Sequence, residues 1–344
     1  MTTSAPERRW LPEWHAQDGV LLAWPAIHTD WADTLEAAQR CYRRLIDAFL
    51  DHADVVLVVP DEATADALAR SLAGSRFRFT PVTAPYDDTW VRDSGPLTVA
   101  DAAGLHWLDF RFDGWGGKFD ATRDDRLTAH LATHEAFAKP RLVPFDWVLE
   151  GGAVDGDGAG TVLTTRSVVR ARYPGLAPGL VEQRLAAALG AERILVIEHG
   201  EIEGDDTDGH IDILVRFANR EALVFQGCRD ADDPHHAALQ AMSQQLETFS
   251  DGSGAPYRLH ELPFPPAIHD DEGRRLGASY ANFLILNDAV FVPTYGVDTD
   301  RAALAVLGAA FPRHRIVDVD CRILITQGGS LHCATMQLPA GCLA

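Results

Sequence analysis

Apolar positions along the chain recur in two rhythms. In five segments, roughly 32–51, 123–137, 180–190, 233–249 and 299–311, they return every three or four places, which predicts amphipathic helices. Shorter runs, continuous or alternating, predict strands. One such run follows each helix: VVLVV at 55, RLVP at 141, RILVIE at 193, YRLHEL at 257 and HRIVDVD at 314. Another precedes each: GVLLAW at 19, LHWLDF at 105, TVLTT at 161, EALVF at 221 and AVFVP at 289. In four units a further strand leads, within TWVRDSGPLTV, VLEGGAV, GHIDILVRF and SYANFLIL. The first unit has none at the N-terminus, and the C-terminal SLHCATMQL supplies it. An extra helix near 62–73 and the strand FRFTPV extend that unit. The chain therefore reads as α/β, with five ββαβ units closed into a ring by its own two ends. Such a ring leaves no free sheet edge. No long Pro/Gly/Ser linker interrupts it, which favours one domain over residues 1–344.

In this ring Asp93, Glu150, His210 and Cys333 each fall at or near the start of a unit's first strand. Equivalent strand ends converge near the axis, so these distant residues are expected to share a pocket. Each has a plainer reading. Asp93, in DDTWVRDSGP, also suits a surface loop, paired with Arg92 or capping a turn. Glu150, in LEGG, also suits a structural role on buried backbone N–H groups. In GDDTDGHID, the two-residue spacing puts His210 and Asp212 on one face of a strand. A metal pair would need further His or Cys at close spacing, and no HExxH or HxE…PCxxC pattern occurs. An acid/base histidine with a partner carboxylate fits better.

Composition narrows the chemistry. The formal charge of −20 argues against a nucleic-acid partner and mildly favours a cationic small substrate, although solubility alone also accounts for it. No run of 18 apolar residues suggests a membrane span, and MTTSAPERRWLPEW lacks the apolar core of a signal peptide, so a cytoplasmic protein is expected. Five scattered cysteines without a CxxC pair read as free thiols. Cys41, Cys228, Cys321 and Cys342 read as inert. Cys333 follows the open turn Gly328-Gly329, and a lone cysteine with distant histidine and carboxylates is the pattern of a nucleophile.

Three carboxylates exceed what an acyl-transfer triad uses. The surplus suits a guanidinium, which is planar, permanently charged and held by forked hydrogen bonds. Two carboxylates would fix it edge-on and leave its carbon open to a thiolate. Trp90 and Trp115 are candidates to stack on it, although core packing explains both equally well.

At these residues the sequence resembles the agmatine deiminase family, including the Porphyromonas-type peptidylarginine deiminases, within the guanidine-modifying, five-bladed α/β-propeller (pentein) superfamily. The stretches that carry the resemblance are PEW with LLAWP, TWVRDSGP, FDGWGGKF, LEGG, GDDTDGHID, SYANFLILN and GSLHCATMQLP, in order from residue 12 to 339. It implies Cys333 as nucleophile, His210 as general acid and base, Asp93 and Asp212 as guanidinium ligands, and Glu150 as the residue that orients or polarises His210. It implies agmatine as substrate, N-carbamoylputrescine and ammonia as products, a covalent amidino-cysteine intermediate, a place in putrescine and polyamine biosynthesis, no metal or organic cofactor, and a homodimer. Asp87, Asp88 and Glu13 are candidates for the substrate's free amine. Arg92 and Lys118 are the cations that a free-arginine deiminase would need for the α-carboxylate. Peptidylarginine deimination and an amidinotransferase remain alternatives.

Overall fold

Helix and strand alternate five times in the expected order. The computed structural model describes residues 8–344, so the reading of the extreme N-terminus falls partly outside the described residues. Gly104–Arg111 is paired antiparallel with Leu97–Asp101 and parallel with Arg141–Val148, and the short strand Arg9–Trp10 joins the far edge. Three further sheets repeat the antiparallel-then-parallel pattern. Their central strands are Thr161–Thr165, Ala222–Gln226 and Ala289–Thr294. In the remaining sheet, Gln17–Ala23 lies parallel to Asp54–Val59, and Phe79–Thr83 extends it. Its leading strand is Met336–Pro339, antiparallel to Gln17–Ala23, so chain beginning and chain end share one sheet.

Parallel neighbours require a crossover, and helices provide it. Leu35–Phe49 buries Ala38, Cys41, Tyr42, Leu45, Ile46 and Phe49, a stripe at three- and four-residue spacing. Asp54–Val59 has apolar side chains on both faces and is covered on both, as its unbroken apolar run requires.

One helix departs from the expectation. Over 123–137 there is only a 3-10 turn at Asp124–Arg126 and a short helix at Leu127–Leu131. Beyond it the His134 ring accepts the Ala136 N–H at 3.1 Å, a side chain competing with the helix for a backbone donor. Phe137 then bridges to Leu343 and packs edge-on against Trp107 at 5.0 Å. A tertiary pairing has overridden a helical rhythm. Conversely, Arg166–Arg172 is a helix that the apolar pattern does not announce, capped by the Thr165 hydroxyl, which accepts from Val168 N–H.

The residues singled out above lie just ahead of the leading strands, not on them. Asp93 sits in the helical turn Val91–Ser94, and Glu150 precedes the 3-10 turn Gly151–Ala153. His210 precedes the 3-10 turn Ile211–Ile213, which contains Asp212, so the two do not share a strand face. Leu214 N–H donates to Ile211 C=O at 3.0 Å and closes this turn one residue before the strand Val215–Asn219 begins. Cys333 likewise lies in a turn, three residues before Met336–Pro339.

Candidate active site

Each of the five sheets contributes one turn to the same place. Asp93, Glu150, His210 with Asp212, Asn282 and Cys333 precede the leading strands of different sheets. Gly152 marks where they meet. A Cβ there would lie 2.6 Å from His210 Nδ1, 2.9 Å from Asp93 Oδ1 and 3.1 Å from Asp212 Oδ2. Only a residue without a side chain lets the three approach.

Asp93 is fixed at both oxygens: Oδ1 accepts the Gly152 N–H and Oδ2 the Trp115 Nε1–H, each at 2.9 Å. Trp115 reaches it from the left-handed turn of FDGWGG, at φ 59°, where Asp113 Oδ1 accepts the Gly116 N–H at 2.7 Å. The indole also packs edge-on against Phe112 and Phe119, so core packing and a place on the pocket wall are both true of it.

Cys333 is buried, with Sγ 3.2 Å from Asn282 Nδ2 and 3.7 Å from Asp212 Oδ2. Burial pushes its thiol well above the ordinary range, and the charges of Asp212 and Asp93 push the same way. This environment favours the thiol over the thiolate. His210 experiences the opposite balance. Burial favours the neutral ring, but Asp93, Glu150, Asp212 and Asp205 together outweigh it and raise the imidazole above its usual value. Burial likewise raises the Glu150 carboxyl, against the pull of His210 and Arg172. For Asp212 burial is outweighed by the hydrogen bond and charge of His332 with His210 and Arg216, and its carboxyl is lowered.

Four polar groups here lack partners. Both ring nitrogens of His210, Glu150 Oε2 and Asp212 Oδ1 are buried without a hydrogen bond. Each such atom costs about 1–3 kcal/mol if nothing meets it. The two carboxylate oxygens suit a ligand rich in N–H groups, and the imidazole beside them can exchange a proton with it. The other oxygens of these two carboxylates are occupied: Glu150 Oε1 by Arg172 Nε, Asp212 Oδ2 by His332 Nδ1. Glu150 makes no hydrogen bond to His210 and acts on it through charge.

Asp93 and Cys333 face a cavity of about 720 Å3, whose wall also includes Asp88, Trp90, Trp115 and Phe119. Gly329 lies against the Trp90 ring, where a Cβ would stand 2.3 Å from Cζ3, so a residue without a side chain is needed there for the indole to pack. Asp88 is on the wall, its carboxyl pushed up by burial to about 7. Asp87 turns to Arg123 instead.

Three candidates are corrected. Glu13 is not at the far end of the cavity but buried, 2.7 Å from both Arg216 Nη2 and His332 Nε2. Arg92 is buried beside it, donating to Gln337 and the His332 carbonyl. Neither charge is free for a substrate, because each offsets the other's burial at 3.7 Å. Lys118 is paired with Asp208 at 2.9 Å. The sequence reading missed Asn282, His332, Arg172 and Arg216. Only Asn282 left a signal, a lone amide inside the apolar run YANFLIL.

Residues 9–339 match the Porphyromonas-type peptidyl-arginine deiminase family. The agmatine deiminase of Stutzerimonas stutzeri is 31% identical, covering 98% of each chain. A structure of the C. jejuni agmatine deiminase, a cysteine-to-serine variant with substrate bound, superposes with a TM-score of 0.90 at 31% identity, covering 98% of both chains. A Porphyromonas gingivalis structure provisionally labelled an arginine deiminase gives 0.92 at 41% identity, over 98% of this chain and all of that one. With a full-length family match and relatives of this identity, the chain belongs to the Porphyromonas-type peptidyl-arginine deiminase family.

Proposed function

We propose that this chain is an agmatine deiminase, a hydrolase of the C–N bond in a linear amidine. The observation that carries the reading is the set of bare buried atoms, on His210, Glu150 and Asp212, gathered beside the Cys333 thiol. A guanidinium offers N–H donors to Asp212 and Asp93 and a carbon to the sulfur. Asp93 and Asp212 hold it, and its positive charge offsets the field that keeps Cys333 protonated, so the thiol releases its proton to solvent as the substrate docks. Sγ then bonds to the guanidinium carbon. His210, whose imidazolium form this field favours, protonates the departing nitrogen, and the C–N bond breaks to release ammonia. Water enters and gives a proton to His210. Its oxygen bonds to the same carbon, the C–S bond breaks, and the remaining hydroxyl proton passes to the departing sulfur, which returns the Cys333 thiol and releases the ureido product. No step calls for a metal or organic cofactor.

The cavity's charges favour agmatine over free arginine. Its two arginines are already engaged, Arg274 with Asp270 and Arg275 with Asp233, and Lys118 with Asp208, while Asp88 and Asp30 face the same space. An amine finds carboxylates there, whereas an α-carboxylate finds cations already paired. The likeness to the P. gingivalis structure keeps arginine deimination as the second reading. The five sheets are read as the blades of a closed α/β propeller, one domain over 1–344, working in the cytoplasm as a homodimer. No helix of the described residues is long and apolar enough to cross a membrane.

Ammonia release from agmatine, arginine and a blocked arginine peptide tests the reading. The expected result is turnover of agmatine, abolished in Cys333→Ala with its thermal midpoint retained. Turnover of another member instead replaces the substrate. Release by the variant at the wild-type rate rejects the nucleophile.

A further inference from the structure

Behind Asp212 lies a buried histidine that the mechanism above does not use. His332 Nδ1 is 2.8 Å from Asp212 Oδ2, and Nε2 is 2.7 Å from Glu13 Oε2. Its side chain is 3% exposed. Its backbone is pinned as well: the N–H donates to Asn282 Oδ1 at 2.8 Å, and the carbonyl accepts from Arg92 Nε at 3.3 Å.

Hydrogen accounting fixes its state. An ionised carboxylate only accepts, so each contact needs a hydrogen on the imidazole side. Glu13 is nested among donors: Arg216 Nη2 at 2.7 Å and the Ile285 N–H at 2.7 Å, with Arg92 Nη2 at 3.7 Å. A proton there would displace one of them. A proton on Asp212 would forfeit the attraction of His210 and Arg216 beside it. Around His332 stand three carboxylates, Glu13, Asp155 and Asp212, and two arginines, Arg92 and Arg216. A cationic imidazole completes the balance in a region where an uncompensated charge is costly.

We propose that His332 is a doubly protonated positioning residue that clamps Asp212 by Oδ2 and thereby presents Oδ1 to the substrate guanidinium. Asp212 Oδ1 is the oxygen left bare and buried. With its partner held, the carboxylate cannot rotate to exchange its two oxygens, and the edge that meets the substrate is set before binding. The clamp also offsets part of the negative charge 3.7 Å from the Cys333 sulfur. Glu13, beside the N-terminal segment, becomes the anchor of that clamp. The inference rests on the reading that Asp212 grips the guanidinium.

Agmatine affinity, measured by calorimetry on the non-turning Cys333→Ala protein, separates the two claims. Asp212→Asn and His332→Gln should each weaken binding by about tenfold or more, the scale of a lost charge-assisted hydrogen bond. The double variant should bind no worse than Asp212→Asn alone, because His332 acts through that carboxylate. Losses that simply multiply, or a His332→Gln variant that binds normally, would overturn the clamp. An Asp212→Asn variant that binds normally would overturn the guanidinium reading itself. Nitrogen-15 NMR of the ring-labelled wild-type protein needs no variant to fold. The His332 signals should show hydrogen on both ring nitrogens, and one bare nitrogen rejects the proposal.

Discussion

Asp88 shows how burial sets the working range of a single residue. Its carboxyl is pushed up to about 7 by burial, although the Thr89 N–H bonds its Oδ1 at 2.7 Å. Below that value it is neutral, and above it a carboxylate faces the cavity. If it receives the substrate's amine, the KM for agmatine falls as pH rises through about 7. The charge-assisted bond gained implies a change of about tenfold. Asp88→Asn should flatten that step while leaving kcat nearly unchanged. A step that persists in the variant places the amine elsewhere. At this scale the sequence singled out residues whose type announces chemistry, Cys333, His210, Asp93, Glu150 and Asp212, and the structure brings these five together. It did not reveal Glu13 or His332, because a bond spanning 319 positions leaves no local pattern. A charged residue in a polar-looking stretch gives no sign that three sheets will close over it.

The working unit at the level of elements is the short turn ahead of each leading strand. A regular strand would also hold His210 and Asp212, two residues apart, on one face. The 3-10 turn instead brings both up against Gly152, where Asp93 also arrives. Gly152→Ala would put a methyl group 2.6 Å from His210 Nδ1, and a misplacement of that order costs about a hundredfold in rate. Deiminase activity should fall by at least that amount while circular dichroism stays native. Near-normal activity would mean that the turns tolerate separation and that their convergence is not functional. The helices with a clean stripe, such as Leu35–Phe49, were legible from spacing, as was the order of strands. The helix over 123–137 was not, because Phe137 is claimed by Trp107 and Leu343, partners that spacing cannot register. Arg166–Arg172 was missed because it is short and polar, yet its last residue holds both Glu150 and Asp208.

Across the whole molecule, the chain end is part of the sheet that the chain beginning starts, and Cys333 is delivered by that closing strand. This was legible because one unit lacked a leading strand and one strand lacked a unit. The formal charge of −20 acts at the same scale. It draws a cationic substrate inward over roughly a Debye length, about 10 Å at 0.1 M salt. Raising ionic strength from about 0.01 to about 0.5 M should therefore raise the KM for agmatine with little change in kcat. A salt-independent KM would confine recognition to the buried groups.

The central claim is that Cys333 forms a bond to the guanidinium carbon after ammonia has left. Rapid acid quenching of the enzyme turning over agmatine, followed by mass analysis of its peptides, tests this most directly. The account predicts that the peptide carrying Cys333 gains the mass of agmatine less ammonia, transiently and only while substrate remains. An adduct on any other residue, or none at Cys333 while ammonia is being released, would contradict it.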